Sequence, residues 1–263
     1  MRDTCDGLVI RQTDYGENDR LLTLLTADEG KILMTAKGAR SMKSKTQALC
    51  GLFTYANYEF YERNGRRWMS GGSVNEGFYG LSGDMEGFAL ACYVVQLAGE
   101  ITGEGVPAHG VLQMTLNTLY AIENKLKPYA QIKSAYEIFA ACESGFCPDM
   151  SVCGDCGKPF DTDGWLDVMN GRLVCSECLK GRGSGAQIPT ADRFMTQNIL
   201  IPIDPSAAAA WRYVATAPPK KVFAFSLATE ESRNNLYRAT EAYIVNHLER
   251  TFEALEFYNT VKE

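Results

Sequence analysis

The spacing of apolar and polar positions changes once along this chain, near residue 80, and the change predicts two kinds of structure. Ahead of it lie short runs separated by turn residues, the pattern of strands. Leu8 and Ile10 alternate with Val9 and Arg11. LLTLLT (21–26) leads through the turn ADEGK into ILMTA (32–36), which reads as its hairpin partner. After a basic loop, KGARSMKSKTQ, comes an aromatic-rich strand over Tyr55–Glu62. Asn64-Gly65, a dipeptide suited to two-residue hairpin turns, then joins it to RRWMS. Five strands in this length predict a barrel of the OB type, whose sheet face and loops commonly bind nucleic acid.

The glycine-rich passage GGSVNEGFYGLSGD ends the strands, and helical spacing follows. Met85–Ile101 is apolar almost all round, as a buried helix is. Pro107 and Pro128 each start a further helix, since proline is tolerated in a first turn. Leu112, Leu116, Leu119 and Tyr120 repeat on the first, and Ile132, Tyr136, Phe139 and Ala140 on the second. Helical signals resume over Ala191–Leu200 and Ala207–Tyr213, KKVFAFSL carries no clear period, and a last helix is predicted from about Glu231 to Phe257. The expected fold class is therefore α+β: an OB-fold barrel over residues 1–80, then a mainly helical domain over 81–263, interrupted by an insertion at about 147–185.

That insertion holds two Cys-x-x-Cys pairs, Cys153/Cys156 and Cys175/Cys178, with a spacing expected of a four-thiolate zinc site. Each pair delivers two sulfurs to one side of a metal, and two pairs complete a tetrahedron. Asn170-Gly171 predicts a hairpin between them, and Gly157 suits a tight turn whose N–H groups face a thiolate. Four sulfurs leave no position for water, and no His-x-Glu accompanies them, so one structural Zn2+ is expected rather than a catalytic one. The other cysteines, Cys5, Cys50, Cys92, Cys142 and Cys147, are scattered as free thiols of a reducing compartment would be, with Cys147 expected as a small buried apolar side chain. His109 reads as a surface or capping residue and His247 as part of a helix face, neither as a ligand.

Composition adds one asymmetry. The formal charge is −6, yet between Lys31 and Arg67 eight basic residues face two acidic ones, while from Leu81 onward fifteen basic residues face twenty-two acidic. A local positive region on an acidic chain is the footprint of a polyanion site. Tyr55, Tyr58, Phe60, Tyr61 and Trp68 interleave with these cations, as in single-strand binders that pair a positive groove with stacking rings. Aromatics in strands are more often core, so the cluster rather than any one ring carries this reading. No phosphate loop or nucleophile elbow is present, and an enzyme is not expected. No run approaches the roughly 18 apolar residues of a membrane span, and MRDTCDGLVIRQTDYG lacks a signal-peptide core, so a cytoplasmic location is expected.

In DYGENDRLLTLLTADEGKILMTAKGAR (14–40), in GFCPDMSVCGDCG (145–157) with its second cysteine pair, and in AYIVNHLERTFEALEF, the chain resembles the RecO family of recombination mediators. The resemblance implies a non-enzymatic, nucleoid-associated protein that binds single- and double-stranded DNA and anneals complementary strands. With RecR it would help load RecA onto DNA coated by single-stranded-DNA-binding protein. It carries Arg20, Lys37 and Arg40 over as DNA-binding candidates; charge alone adds Lys43, Lys45, Arg66 and Arg67. Arg212, Lys220 and Lys221 are candidates to receive the acidic tail of single-stranded-DNA-binding protein. The competing reading is a zinc-ribbon docking module or regulator without annealing activity, and a zinc hydrolase would require an open coordination position.

Overall fold

The computed structural model describes residues 3–41, 44–181, 199–227 and 229–262. The N-terminal runs form β1 (Asp3–Tyr15), β2 (Asp19–Thr26), β3 (Gly30–Ala36), β4 (Tyr55–Arg63) and β5 (Arg66–Glu76), closed into a barrel in the order β1-β2-β3-β5-β4. Neighbouring strands pair antiparallel except at the closure, where β3 and β5 run parallel with Met34 opposite Arg67 and Thr35 opposite Trp68. Closure leaves the sheet without a long open edge. Asn64 and Gly65 both take positive φ, at 53° and 68°, with Arg63 opposite Arg66, the two-residue turn that this dipeptide predicts. Inward positions Val9, Leu22, Leu24, Met34, Ala56, Tyr58, Phe60 and Met69 form one apolar cluster. The buried Tyr58 hydroxyl donates to the Leu49 carbonyl at 2.9 Å, which satisfies the one polar atom this ring takes into the core.

Helices begin where the period changes. Asp84 caps α1 (Met85–Ile101) by accepting from the backbone N–H groups of Glu86 and Gly87, and α2 (His109–Glu123) and α3 (Tyr129–Glu143) follow. The cysteine insertion contributes β6 (Asp149–Cys153), β7 (Gly164–Asp167), β8 (Arg172–Cys175) and α4 (Ser176–Gly181). With β9 (Leu200–Ile203) its strands make a sheet in the order β6-β8-β7-β9. Then come α5 (Pro205–Thr216), α6 (Glu230–Leu248) and α7 (Glu253–Val261). A closed five-stranded barrel, a helical remainder and an inserted cysteine hairpin are thus the architecture. The described residues gather into two compact units. One holds the barrel, α1, α2 and α7, and the other spans Lys127–Thr251.

Three local expectations are corrected, and a fourth lies mainly outside the described residues. The last helix is two helices, because Glu249 takes φ +50° and the N–H groups of Glu249 and Arg250 return to Asn246 and Val245. Phe252 then sets its ring edge-on to Tyr93 at 5.6 Å. No proline or glycine marks the break; burial of Phe252 outweighs helix propensity there. The helical signal over Ala191–Leu200 falls mainly outside the described residues, and at its end Leu200 opens a strand, paired to Asp167. The β7–β8 connection is four residues long instead of two: Asp167 pairs with Arg172, only Gly171 takes positive φ, and Asn170 is held by the Asp167 carboxylate through its backbone and side-chain amides. Lastly, Cys147 is exposed and disulfide-bonded to Cys142, because the turn after α3, with Gly145 at φ +83°, folds it back over the helix end. Cys5, Cys50 and Cys92 are free thiols, each pushed up to about 11 by burial.

Candidate metal centre and basic barrel face

Strand ends and a short helix deliver the four cysteines. Cys153 closes β6, Cys156 lies in the turn after it, Cys175 closes β8, and Cys178 sits one turn into α4. The turn forms because Gly157 takes φ +70°, and its N–H donates to the Cys153 carbonyl at 2.9 Å. A further bond, from Gly154 N–H to the Leu173 carbonyl at 2.8 Å, ties this turn to β8. The four sulfurs lie within 4.8 Å of one another, with Cys156 and Cys175 at 4.0 Å. Zinc–sulfur bonds of about 2.3 Å place tetrahedral sulfurs roughly 3.8 Å apart, so the cluster needs only a small contraction to close on an ion.

The electrostatics suit a cation as well. Burial pushes the Cys153 thiol up, but N–H groups of Cys175, Cys156 and Asp155 facing its sulfur outweigh that and hold it down at about 6. The Cys175 N–H lies 3.4 Å from this sulfur. Hydrogen bonding with Cys156 and Cys175 drives Cys178 the other way, up to about 12. Sulfurs this close cannot all ionise without a compensating positive charge. Around them, Arg172 reaches Asp155 at 3.0 Å and Asp167 at 3.6 Å, and Lys158 reaches Glu177 at 3.2 Å. The donor set and its geometry fit a metal ion held by all four thiolates, with no ligand position left for a substrate. His109 instead contacts Asp28 at 3.1 Å, and His247 packs on Tyr243 with ring centroids 3.9 Å apart.

On the barrel the cations fall into two sets. Arg20 and Arg40 converge on Asp14, at 3.5 and 3.4 Å, and Arg40 also donates to the Glu17 carbonyl at 3.1 Å. Arg67 pairs with Glu29 at 2.6 Å and lies 5.4 Å from the Phe60 ring. Lys37, Lys45 and Arg66 are exposed and have no ion pair among the described residues; the Lys37 ammonium sits 4.6 Å from the centre of the Trp68 ring. Lys43 lies outside the described residues. Charge counting missed the counter-ions. Asp14 was legible, since it and Arg20 are equidistant from Glu17 in the β1–β2 turn and so face each other in register. Glu29, reaching across to another strand, left no such signal. Of the three cations considered for an acidic tail, Arg212 donates to the Met150 carbonyl, while Lys220 and Lys221 are exposed beyond α5.

Residues 1–75 match the family described as recombination protein O N terminal, and residues 82–200 match recombination protein O C terminal. The DNA repair protein RecO of Anaeromyxobacter sp. (strain K) is 30% identical over 258 residues, covering 97% of this chain and 95% of its own. That of Acetivibrio thermocellus is 27% identical over 255 residues, with the same coverage of 97% and 95%. The Listeria welshimeri protein of the same name is 31% identical over 176 residues, 67% of this chain and 68% of its own.

Proposed function

The chain belongs to the RecO family of DNA repair proteins, and from that premise we propose that it is a non-enzymatic mediator that binds single- and double-stranded DNA and anneals complementary strands. With RecR it would assist loading of RecA onto DNA coated by single-stranded-DNA-binding protein, in the nucleoid of the cytoplasm. The observation that carries the DNA-binding part is the set of exposed cations on the barrel of a chain whose formal charge is −6. Annealing requires that phosphate repulsion be lowered while base edges stay accessible, and exposed cations such as Lys37, Lys45 and Arg66 would do this without enclosing the duplex.

Arg20, Lys37, Arg40, Lys43, Lys45, Arg66 and Arg67 are the proposed DNA contacts, and they are unequal. Lys37, Lys45 and Arg66 can meet phosphate at once, whereas Arg20, Arg40 and Arg67 must exchange Asp14 or Glu29 for it. Exposed pairs such as those on Asp14 are worth about 0–1 kcal/mol, so that exchange is easy, whereas Arg67 is partly buried and held more firmly by Glu29. The proposed cofactor is one zinc ion on Cys153, Cys156, Cys175 and Cys178, which when bound cross-links the insertion and performs no chemistry on substrate.

The test is fluorescence anisotropy of labelled single-stranded DNA titrated with salt. For wild type, the logarithm of affinity should fall with the logarithm of salt at roughly 0.7 per phosphate contact. Replacing Lys37, Arg40, Lys43 and Lys45 together should flatten that slope, and an unchanged slope removes the basic loop from the interface. A purified protein that binds strands without accelerating their annealing would leave protein docking as its role.

A further inference from the structure

We infer that Trp68 and Tyr61 form a base-stacking platform on the outer face of the barrel, on which the Lys37 ammonium holds the place of an unpaired base. This deepens the DNA-binding reading and rests on it. Five aromatics interleave with the cations, and the fold divides them. Tyr58 and Phe60 point into the core, at 0% and 5% exposure, and Tyr58 spends its hydroxyl there. Tyr61 is 37% exposed, and Trp68, directly opposite it in the β4–β5 register, is partly exposed. Strand alternation puts Arg63 and Arg66, themselves opposite one another at the hairpin tip, on the same outward face. Two rings side by side are therefore bordered by two arginines.

Lys37 borders them on the other flank. Thr35 of β3 lies opposite Trp68 of β5, so the residue two further along β3's path emerges beside that ring, with its ammonium 4.6 Å from the ring centre. The contact that Lys37 makes on that ring is thus made by a flexible, exposed side chain. An exposed cation–π contact is worth a factor of about 2–5, whereas a stacked base is worth about 5–150. The base prevails. The displaced ammonium then lies where the neighbouring phosphate runs, so stacking and charge neutralisation come from one rearrangement. Only an unpaired base offers its π-face, so this platform distinguishes single strands from duplex, which the cations alone do not.

The test uses the full-length protein and two labelled probes, a single-stranded oligothymidine longer than the roughly 16-nucleotide upper site size of one barrel and a duplex of equal length. Trp68→Ala should weaken single-strand binding about tenfold more than duplex binding, and Trp68→Phe should restore most of the difference. Because the substitution removes no charge, the salt slope should stay at the wild-type value. Oligothymidine should also quench the tryptophan emission of wild type, and Trp68→Phe should abolish that quenching. Equal losses on both probes, or none, or quenching that survives Trp68→Phe, overturns the platform while leaving DNA binding in place. If wild type binds neither probe, the DNA-binding reading itself fails.

Discussion

Among single residues, the sharpest energetic question is posed by Lys133, in the core of the helical unit at 3% exposure. Its ammonium lies 2.8 Å from both Glu137 and Glu241, and Glu137, 1% exposed, also accepts from the Thr240 hydroxyl at 2.7 Å. Two carboxylates thus share one ammonium. Burial drives the Glu137 carboxyl upward more strongly than Lys133 draws it down, while the two carboxylates outweigh burial and raise Lys133. A buried pair contributes little net stability, but breaking one is expensive. Lys133→Met should therefore cost about 3–5 kcal/mol in urea denaturation. Glu137→Gln, which leaves Lys133 paired with Glu241, should cost less, about 1–3 kcal/mol. The pH dependence has a defined sign. A carboxyl whose folded value exceeds its unfolded one takes up its proton first in the folded state, so wild type should gain on Glu137→Gln as pH falls from 7 toward 5. Lys133 works at the other end, its contribution disappearing only as pH rises through its raised folded value. A wild-type advantage that instead grew from pH 5 to 7 would contradict the upward shift of the Glu137 carboxyl.

At the scale of elements, turns decide how much of this fold is visible in the sequence. Asn64-Gly65 takes the turn that its dipeptide predicts, because both residues adopt positive φ and no side chain from elsewhere crowds the glycine. Asn170-Gly171 carries the same letters, yet the Asp167 carboxylate holds Asn170 and lengthens the loop. The break after Leu248 is silent for a related reason, since Phe252 is drawn to Tyr93, distant in sequence, and no local signal records that attraction. Short-range rules read what short-range forces build. Glycines give a measurable form of this contrast. Gly65, at φ +68°, has nothing within 4 Å of where a methyl group would stand, so Gly65→Ala should cost only the left-handed backbone penalty of about 1 kcal/mol. Gly30, at φ +63°, ends the β2–β3 turn where the chain meets the α1–α2 loop, with the Lys31 N–H bonded to the Gly103 carbonyl and the Gly105 N–H to that of Glu29. A methyl there collides with the carbonyl oxygens of Gly103 and Val106. Gly30→Ala should cost more than about 3 kcal/mol, seen as a thermal transition lowered well below that of Gly65→Ala.

Across the whole molecule, the sequence speaks unevenly about the two candidate sites. The cysteine cluster was legible residue by residue, because ligand spacing is a local constraint and the four sulfurs do converge within 4.8 Å. The basic face was legible only as a region. Which cation stands free and which is paired depends on Asp14 and Glu29, and which aromatic faces outward depends on strand register; both are products of closing the barrel. This division predicts separable losses. Metal bound by a site assembled only on folding contributes its binding energy to folding, so Cys153→Ser, Cys175→Ser or a strong chelator should lower stability. The effect should appear as an early loss of structure within Lys127–Thr251, measured by hydrogen exchange with peptide resolution, together with release of the metal. The barrel draws none of its core from those cysteines, since its enclosed side chains run from Val9 to Met69. Oligonucleotide affinity and its salt slope should therefore remain within about twofold of wild type at temperatures where the variants stay folded. A folded, metal-free variant that no longer bound DNA would instead place the cysteine hairpin in the nucleic-acid interface, and the barrel cations would then not suffice for binding.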